Sequence, residues 1–218
     1  ESPSPVQASS DDASPPRRFE PLLWFGLAAC GSLLLLATTN VMTQDVAAVP
    51  LLWILPLSIY LLSFILCFAS GKWYRRGIYH PAFAVSAVMA VVALFRQDYM
   101  LPVPRIGIFA LFLFAACMVL HGELSRRKPA PRVLTWYYLM IAAGGAFGGA
   151  FATLIAPRIF PAFWEFHLGL WLCALLLGMA LYFDPRSWFH DCPAWLAPAL
   201  ALATALIPGA LVLTGQAT

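Results

Sequence analysis

Three groups of residues have the types and spacing to do chemistry, and each also has a plain structural use. The first is His121 and Glu123 in the sequence HGEL, with Tyr137 a short distance further on. An imidazole titrates near neutral pH, and a carboxylate two residues away can exchange a proton with it or share a cation. Glu123 can equally pair with Arg126 or Arg127, and an exposed pair of that kind is worth about 0–1 kcal/mol. The second group is Thr38, Thr39, Asn40, Thr43, Gln44 and Asp45 in TTNVMTQD. Asp45 precedes an apolar run and can cap its first free N–H groups. The alternative is a polar site in the membrane, because ionisable groups dipping into apolar spans tend to mark solute or proton paths. The third group is Gly144, Gly145, Gly148 and Gly149 in GGAFGG, which forms two overlapping GxxxG pairs. Glycines at that spacing let two helix backbones approach closely. The alternative is a hinge or a cavity wall where a substrate approaches the backbone; a phosphate-binding loop is not indicated, because no strand precedes the glycines and they sit at membrane depth.

No Ser–His–Asp set, no acid–base pair of carboxylates and no nucleotide fingerprint occurs, so no residue is assigned as catalytic and no cofactor is expected. Nor does any histidine or cysteine spacing suggest a metal. Cys30, Cys67, Cys117 and Cys173 lie inside apolar runs and Cys192 stands alone, a pattern of packing thiols rather than of disulfides.

The elements that must position these residues are membrane spans. Of 218 residues, 61% are hydrophobic and only 11% charged, and the mean hydropathy is +0.80. Runs of roughly 17–25 apolar residues match a hydrocarbon layer about 30 Å thick. Without water there, backbone groups must bond within the segment, so the spans are helices. The alternation of a membrane barrel is missing. The expected fold is all-α, a polytopic bundle of about seven helices. They cover 21–37, 46–68, 81–95, 106–120, 134–155, 167–183 and 195–213. Pro56 should kink the second helix, and the third is short enough to need tilting or extension. Residues 1–18 begin with Ser, Pro and Asp in quantity and are expected to form a disordered linker or tail. The first residue is Glu rather than Met, which suggests a processed chain or a piece of a longer polypeptide.

Charge supplies the orientation. With the N-terminus inside, Arg17, Arg18, Lys72, Arg75, Arg76, Arg126, Arg127, Lys128, Arg132 and Arg186 face the cytoplasm. Of the 13 basic residues, only Arg96, Arg105 and Arg158 then face outward. The net charge of +3 is a topology signal and not a nucleic-acid footprint. The expected partners are the lipid bilayer and other membrane helices, and the expected location is a multi-pass position in the inner (plasma) membrane.

Two stretches, TTNVMTQDVAAVPLLWILPLSIYLLSFILCF (38–68) and HGELSRRKPAPRVLTWYYLMIAAGGAFGGAFATLIAPRIF (121–160), cover about a third of the chain. They resemble the membrane region of bacterial fusions between a major-facilitator-like bundle and a spermidine-synthase-like domain. Ala152 and Trp136 depart from the pattern of that family. The resemblance implies more membrane helices before this region and a Rossmann-like aminopropyltransferase-type domain after it. On that reading the chain is a non-catalytic membrane module that anchors the enzymatic domain and passes a small solute. The alternatives are a secondary-transporter-type protein with its polar site at the first two helices, or a structural subunit of a larger membrane complex.

Overall fold

A computed structural model describes residues 19–44, 51–69, 73–96, 101–159 and 164–182. It is all-helical over them. The helices are α1 (Glu20–Gln44), α2 (Ile54–Ala69), α3 (Arg76–Phe95), α4 (Pro102–Arg126), α5 (Leu134–Ala150), the short α6 (Ala156–Ile159) and α7 (Trp164–Tyr182). A 3-10 turn, Pro131–Val133, leads into α5, and a π-helical stretch, Phe151–Ile155, joins α5 to α6. Five helical spans are long and apolar enough to cross a membrane, with α5 and α6 counted as one, and α2 is shorter. The chain therefore has the character of a multi-pass membrane protein. The expected span at 195–213, the linker 1–18, Cys192 and Asp45 lie outside the described residues, as does the side chain of Gln44.

Four helix boundaries differ from those the sequence suggests, each for a physical reason. The polar stretch after Ala37 does not interrupt α1, which continues to Gln44. The Thr39 hydroxyl donates to the Leu35 carbonyl at 2.6 Å and Thr43 donates to the Thr39 carbonyl at 2.9 Å. These threonines satisfy themselves on their own helix and need no loop. The second helix starts at Ile54 rather than Val46, after a turn in which Leu51 takes the left-handed φ of 69°. Pro56 consequently falls in the first turn of α2, where an N–H has no intrahelical partner, and no mid-helix kink is needed. In place of a short third helix, α3 takes in Arg76 to His80 before Pro81 and reaches 20 residues. Finally, α4 runs past Leu120 to Arg126. His121 and Glu123 therefore sit inside a helix and not in an exposed turn.

The two 25-residue helices, α1 and α4, form the interior. α1 packs against α4, α5 and α7, while α4 also packs against α2 and α3. Outer faces carry exposed Val85, Val88 and Val92 on α3, Leu139 and Phe147 on α5, and Leu175 on α7. A surface this apolar suits lipid and not water. Contacts place the ends of the helices. Tyr137 near the start of α5 meets Trp24 near the start of α1 and Leu124 near the end of α4. Ser125 bonds the Cys67 carbonyl at the end of α2, and Arg127 bonds the Ala180 carbonyl at the end of α7. Successive long helices therefore alternate in direction.

The glycine seam is uneven. A methyl group on Gly144 would collide with the Phe25 carbonyl, and one on Gly148 with the Ala29 carbonyl, so the α1 backbone lies directly on these two residues. One on Gly145 would sit 3.4 Å from Ser32 Oγ, and one on Gly149 would sit 3.9 Å from Leu36 Cδ1. Only alternate members of GGAFGG make the close approach. Replacing Gly148 with Ala should therefore destabilise the bundle by about 1–3 kcal/mol, the usual cost of overpacking. Gly149→Ala should be close to neutral. Reversible unfolding of both variants in mixed micelles measures the difference, and equal losses would contradict this division of the seam.

Candidate functional site

The polar centre of the described structure is the tripeptide His121–Gly122–Glu123 near the end of α4. Successive helical residues point about 100° apart, so the three meet different neighbours. Glu123 turns toward α3 and is fully buried. Arg76 grips it with two parallel bonds, Nε to Oε1 at 2.6 Å and Nη2 to Oε2 at 2.7 Å. This fork geometry is the strong, orientation-fixing form of an ion pair. The Tyr74 hydroxyl donates to Oε1 at 2.9 Å. With its proton committed there, the Tyr74 oxygen accepts from His80 Nε2 at 2.9 Å, which sets the tautomer of that ring. Burial, then the adjacent Glu123 carboxylate, pushes the Tyr74 phenol well above its ordinary pKa, so it remains a donor. Arg127 adds a second positive charge, with Nε 4.0 Å from Oε2, and its Nη2 donates to the Ala180 carbonyl of α7.

Gly122 explains why the tyrosine can reach the carboxylate. A Cβ there would overlap the Tyr74 ring, which packs directly against α4 at that point. His121 turns the other way, toward α2. Its Nδ1 is 3.0 Å from Ser63 Oγ, and its ring meets the edges of Tyr60 and Phe64 at centroid distances of 4.8 and 5.3 Å.

The structure brings together some of the expected residues and separates others. Glu123 is not half of an exposed pair with Arg126 or Arg127. Its main partner is the distant Arg76, because a carboxylate inside an apolar bundle must be paired and hydrogen-bonded. His121 and Glu123 face opposite sides of α4, so the structure does not join them as a proton-sharing pair. Tyr137 is fully buried against Trp24, and its hydroxyl donates to the Leu124 carbonyl at 2.8 Å, not to Glu123. In the polar group on α1, Thr38 is fully buried while Asn40 is exposed, so the two do not line a common surface. Among the described residues no cluster of His, Cys, Asp or Glu has metal-holding geometry. Cys30, Cys67, Cys117 and Cys173 are free and buried, in keeping with packing thiols.

Tyr74, Arg76, Gly122 and Ser63 are the residues that sequence reading missed. A signal was present: the stretch WYRRGIYH has the arginine, tyrosine and histidine that a glutamate inside a long apolar helix requires. In composition it also matches an interfacial anchor, and that use concealed it. Compared with known proteins, the chain matches no family model, no curated protein and no solved structure.

With both oxygens of Glu123 engaged, the site works as a clamp that fastens α3 to α4. Removing one partner strands the other charge, which for buried pairs costs about 3–5 kcal/mol. Arg76→Ala and Glu123→Ala should each destabilise within that range. The double variant should lose clearly less than the sum of the two. A double-mutant cycle on unfolding free energies in micelles tests this, and simple additivity would remove the clamp as an energetic unit.

Proposed function

We propose that the chain is the integral membrane module of a spermidine-synthase-like membrane protein. It is not itself catalytic; it anchors an aminopropyltransferase-type domain elsewhere in the polypeptide and lets a small solute pass. It spans the inner membrane about seven times with the N-terminus in the cytoplasm. The observation that carries this reading is the Glu123–Arg76 clamp. The carboxylate of the HGEL motif is spent on holding two helices together and is not presented to a cleft, which is how an anchoring bundle uses charge. The resemblance of residues 38–68 and 121–160 to the membrane region of such fusions supplies the identity of the anchored domain.

The distribution of charge supports the orientation. Arg75, Arg76, Arg126, Arg127, Lys128 and Arg132 lie at the end where α4 finishes. Arg96, Arg105 and Arg158 lie at the other end, where Arg105 is buried over the Phe109 ring and Arg158 bonds back to the Leu154 carbonyl of its own chain segment. Exposed basic residues gathered at one end mark the cytoplasmic side.

A transporter-type reading draws on one specific observation. Thr38 is fully buried, and its hydroxyl has no protein partner in the described structure. Substrate flux that survives in Asp45→Asn and Thr38→Val would count against it.

The leading reading has two tests. A reporter fused after Arg132 should show cytoplasmic activity, and a periplasmic signal there would invert the orientation. Expressed without residues 19–218 and without any membrane helices that precede them, the aminopropyltransferase-type domain should carry aminopropyl-transfer activity in the soluble fraction, whereas the full polypeptide carries it in the membrane. Absence of that activity from both fractions of the intact protein would overturn the anchor.

A further inference from the structure

The end of the bundle where α3 begins and α4 finishes carries more positive charge than its buried carboxylate uses. The segment leading into α3 lies across the last turns of α4, with the Tyr74 ring against Gly122 and Arg76 on Glu123. Arg126 stands close enough for its charge to act on the Tyr74 phenol, and Arg127 Nε lies 4.0 Å from Glu123 Oε2. Arg75 sits between Tyr74 and Arg76. Lys128 follows Arg127, and its N–H turns back to the Ser125 carbonyl at 3.3 Å. Five cations, Arg75, Arg76, Arg126, Arg127 and Lys128, therefore gather around one carboxylate. Arg76 and Arg127 are drawn to it. Arg75 and Lys128 are exposed, and the Arg75 side chain makes no capping bond on α3.

The surroundings define the partner. Trp73, 59% exposed, and Ile78, 57% exposed, flank Arg75 in sequence. An exposed tryptophan beside basic residues marks the headgroup level of a bilayer. From there an apolar lane runs along α3. Ile78, Ala82, Val85, Met89 and Val92 are all exposed, and they recur at alternating spacings of four and three residues, which keeps them on one helix face. The lane is about 21 Å long. It lies open because α3 packs chiefly against α4. A free phosphate would use the charge and leave the lane bare, and a zwitterionic headgroup would leave the surplus charge uncompensated. We propose that this corner is a binding site for one anionic phospholipid. Its phosphate meets Arg75 and Lys128 over the clamp, and an acyl chain lies against the α3 lane. Either orientation of the chain would place the corner at a headgroup layer.

Native mass spectrometry of the 218-residue chain in detergent micelles, titrated with phosphatidylglycerol or phosphatidylcholine, tests the site. The wild type should retain one phosphatidylglycerol in preference to phosphatidylcholine. In the double variant Arg75→Gln/Lys128→Gln the affinity should fall about 30-fold, about fivefold for each basic residue removed. Arg132→Gln lies at the same end but at the start of α5, which packs against α1, and should bind as tightly as the wild type. Equal retention of the two lipids would overturn the proposal. An equal loss in Arg132→Gln would show a basic face without a site and also overturn it. Glycerol 1-phosphate has the phosphate without an acyl chain and should fail to displace the lipid. Displacement at matching concentration would identify a free-phosphate site and overturn the lipid assignment. Neither replaced side chain belongs to the Glu123 fork, so the double variant should fold. Should it not, Lys128→Gln alone serves, with an expected loss of about fivefold. Unchanged affinity in that variant would overturn the proposal.

Discussion

A carboxylate buried inside an apolar helix bundle constrains everything around it. Glu123 is fully buried, and an unpaired charge in that place would be prohibitively costly. A cation must therefore be brought to it from elsewhere in the chain, and Arg76 is that cation. Other features follow from this one pairing. α3 must begin at Arg76, ahead of Pro81, so that the guanidinium reaches the end of α4. α4 must stay helical past Leu120 to carry Glu123 inward. Residue 122 must lack a side chain so that Tyr74 can lie across the backbone and donate to the same carboxylate. Arg127, drawn toward the same oxygens, places its guanidinium on the α7 carbonyl of Ala180.

The clamp acts at one end, and the glycine seam acts along the length of the helices. Lipid tails are as apolar as leucine, so helices in a bilayer gain little from hiding apolar surface from one another. What holds α1 to α5 is close contact, possible because the α1 carbonyls of Phe25 and Ala29 rest on Gly144 and Gly148. The same logic recurs between α1 and α7, where Gly169 receives the Leu34 side chain, with 2.7 Å to the point a Cβ would occupy. α1 is thus bound to its neighbours by shape, and α3 is bound to α4 by charge. Replacing a buried ion pair with well-fitted apolar groups is often neutral for stability. The clamp is then better understood as fixing register, because only one sliding position of α3 against α4 sets the Arg76 fork on both Glu123 oxygens.

The fold class was legible because it rests on composition and run length, which depend on the bilayer and not on tertiary detail. The helix contact at GGAFGG was legible as a motif, but which two glycines touch was not, since Gly145 and Gly149 share the spacing and differ only in the face they present. The site was half legible. His121 and Glu123 stood out by residue type, whereas Arg76 and Tyr74 lie 47 and 49 positions away from Glu123. No local pattern reports a partner at that distance. The helix boundaries differ from the sequence expectation where polar residues lie inside helices. Thr39 and Thr43 satisfy their hydroxyls on their own helix, and Arg76 and His80 are carried inward by a carboxylate on another helix.

One residue, Arg127, connects the clamp to the last described helix, and this bears on what the end of the bundle can do. Its guanidinium is shared between the Glu123 carboxylate and the carbonyl of Ala180, two residues before α7 ends at Tyr182. A displacement of that end of α7 would therefore be felt at Glu123, and through its fork at the start of α3. Three helices are coupled within one turn of their termini, on the side that carries Arg75, Lys128 and Arg132. Any separation of these three helices at this end would have to break the Glu123 fork first.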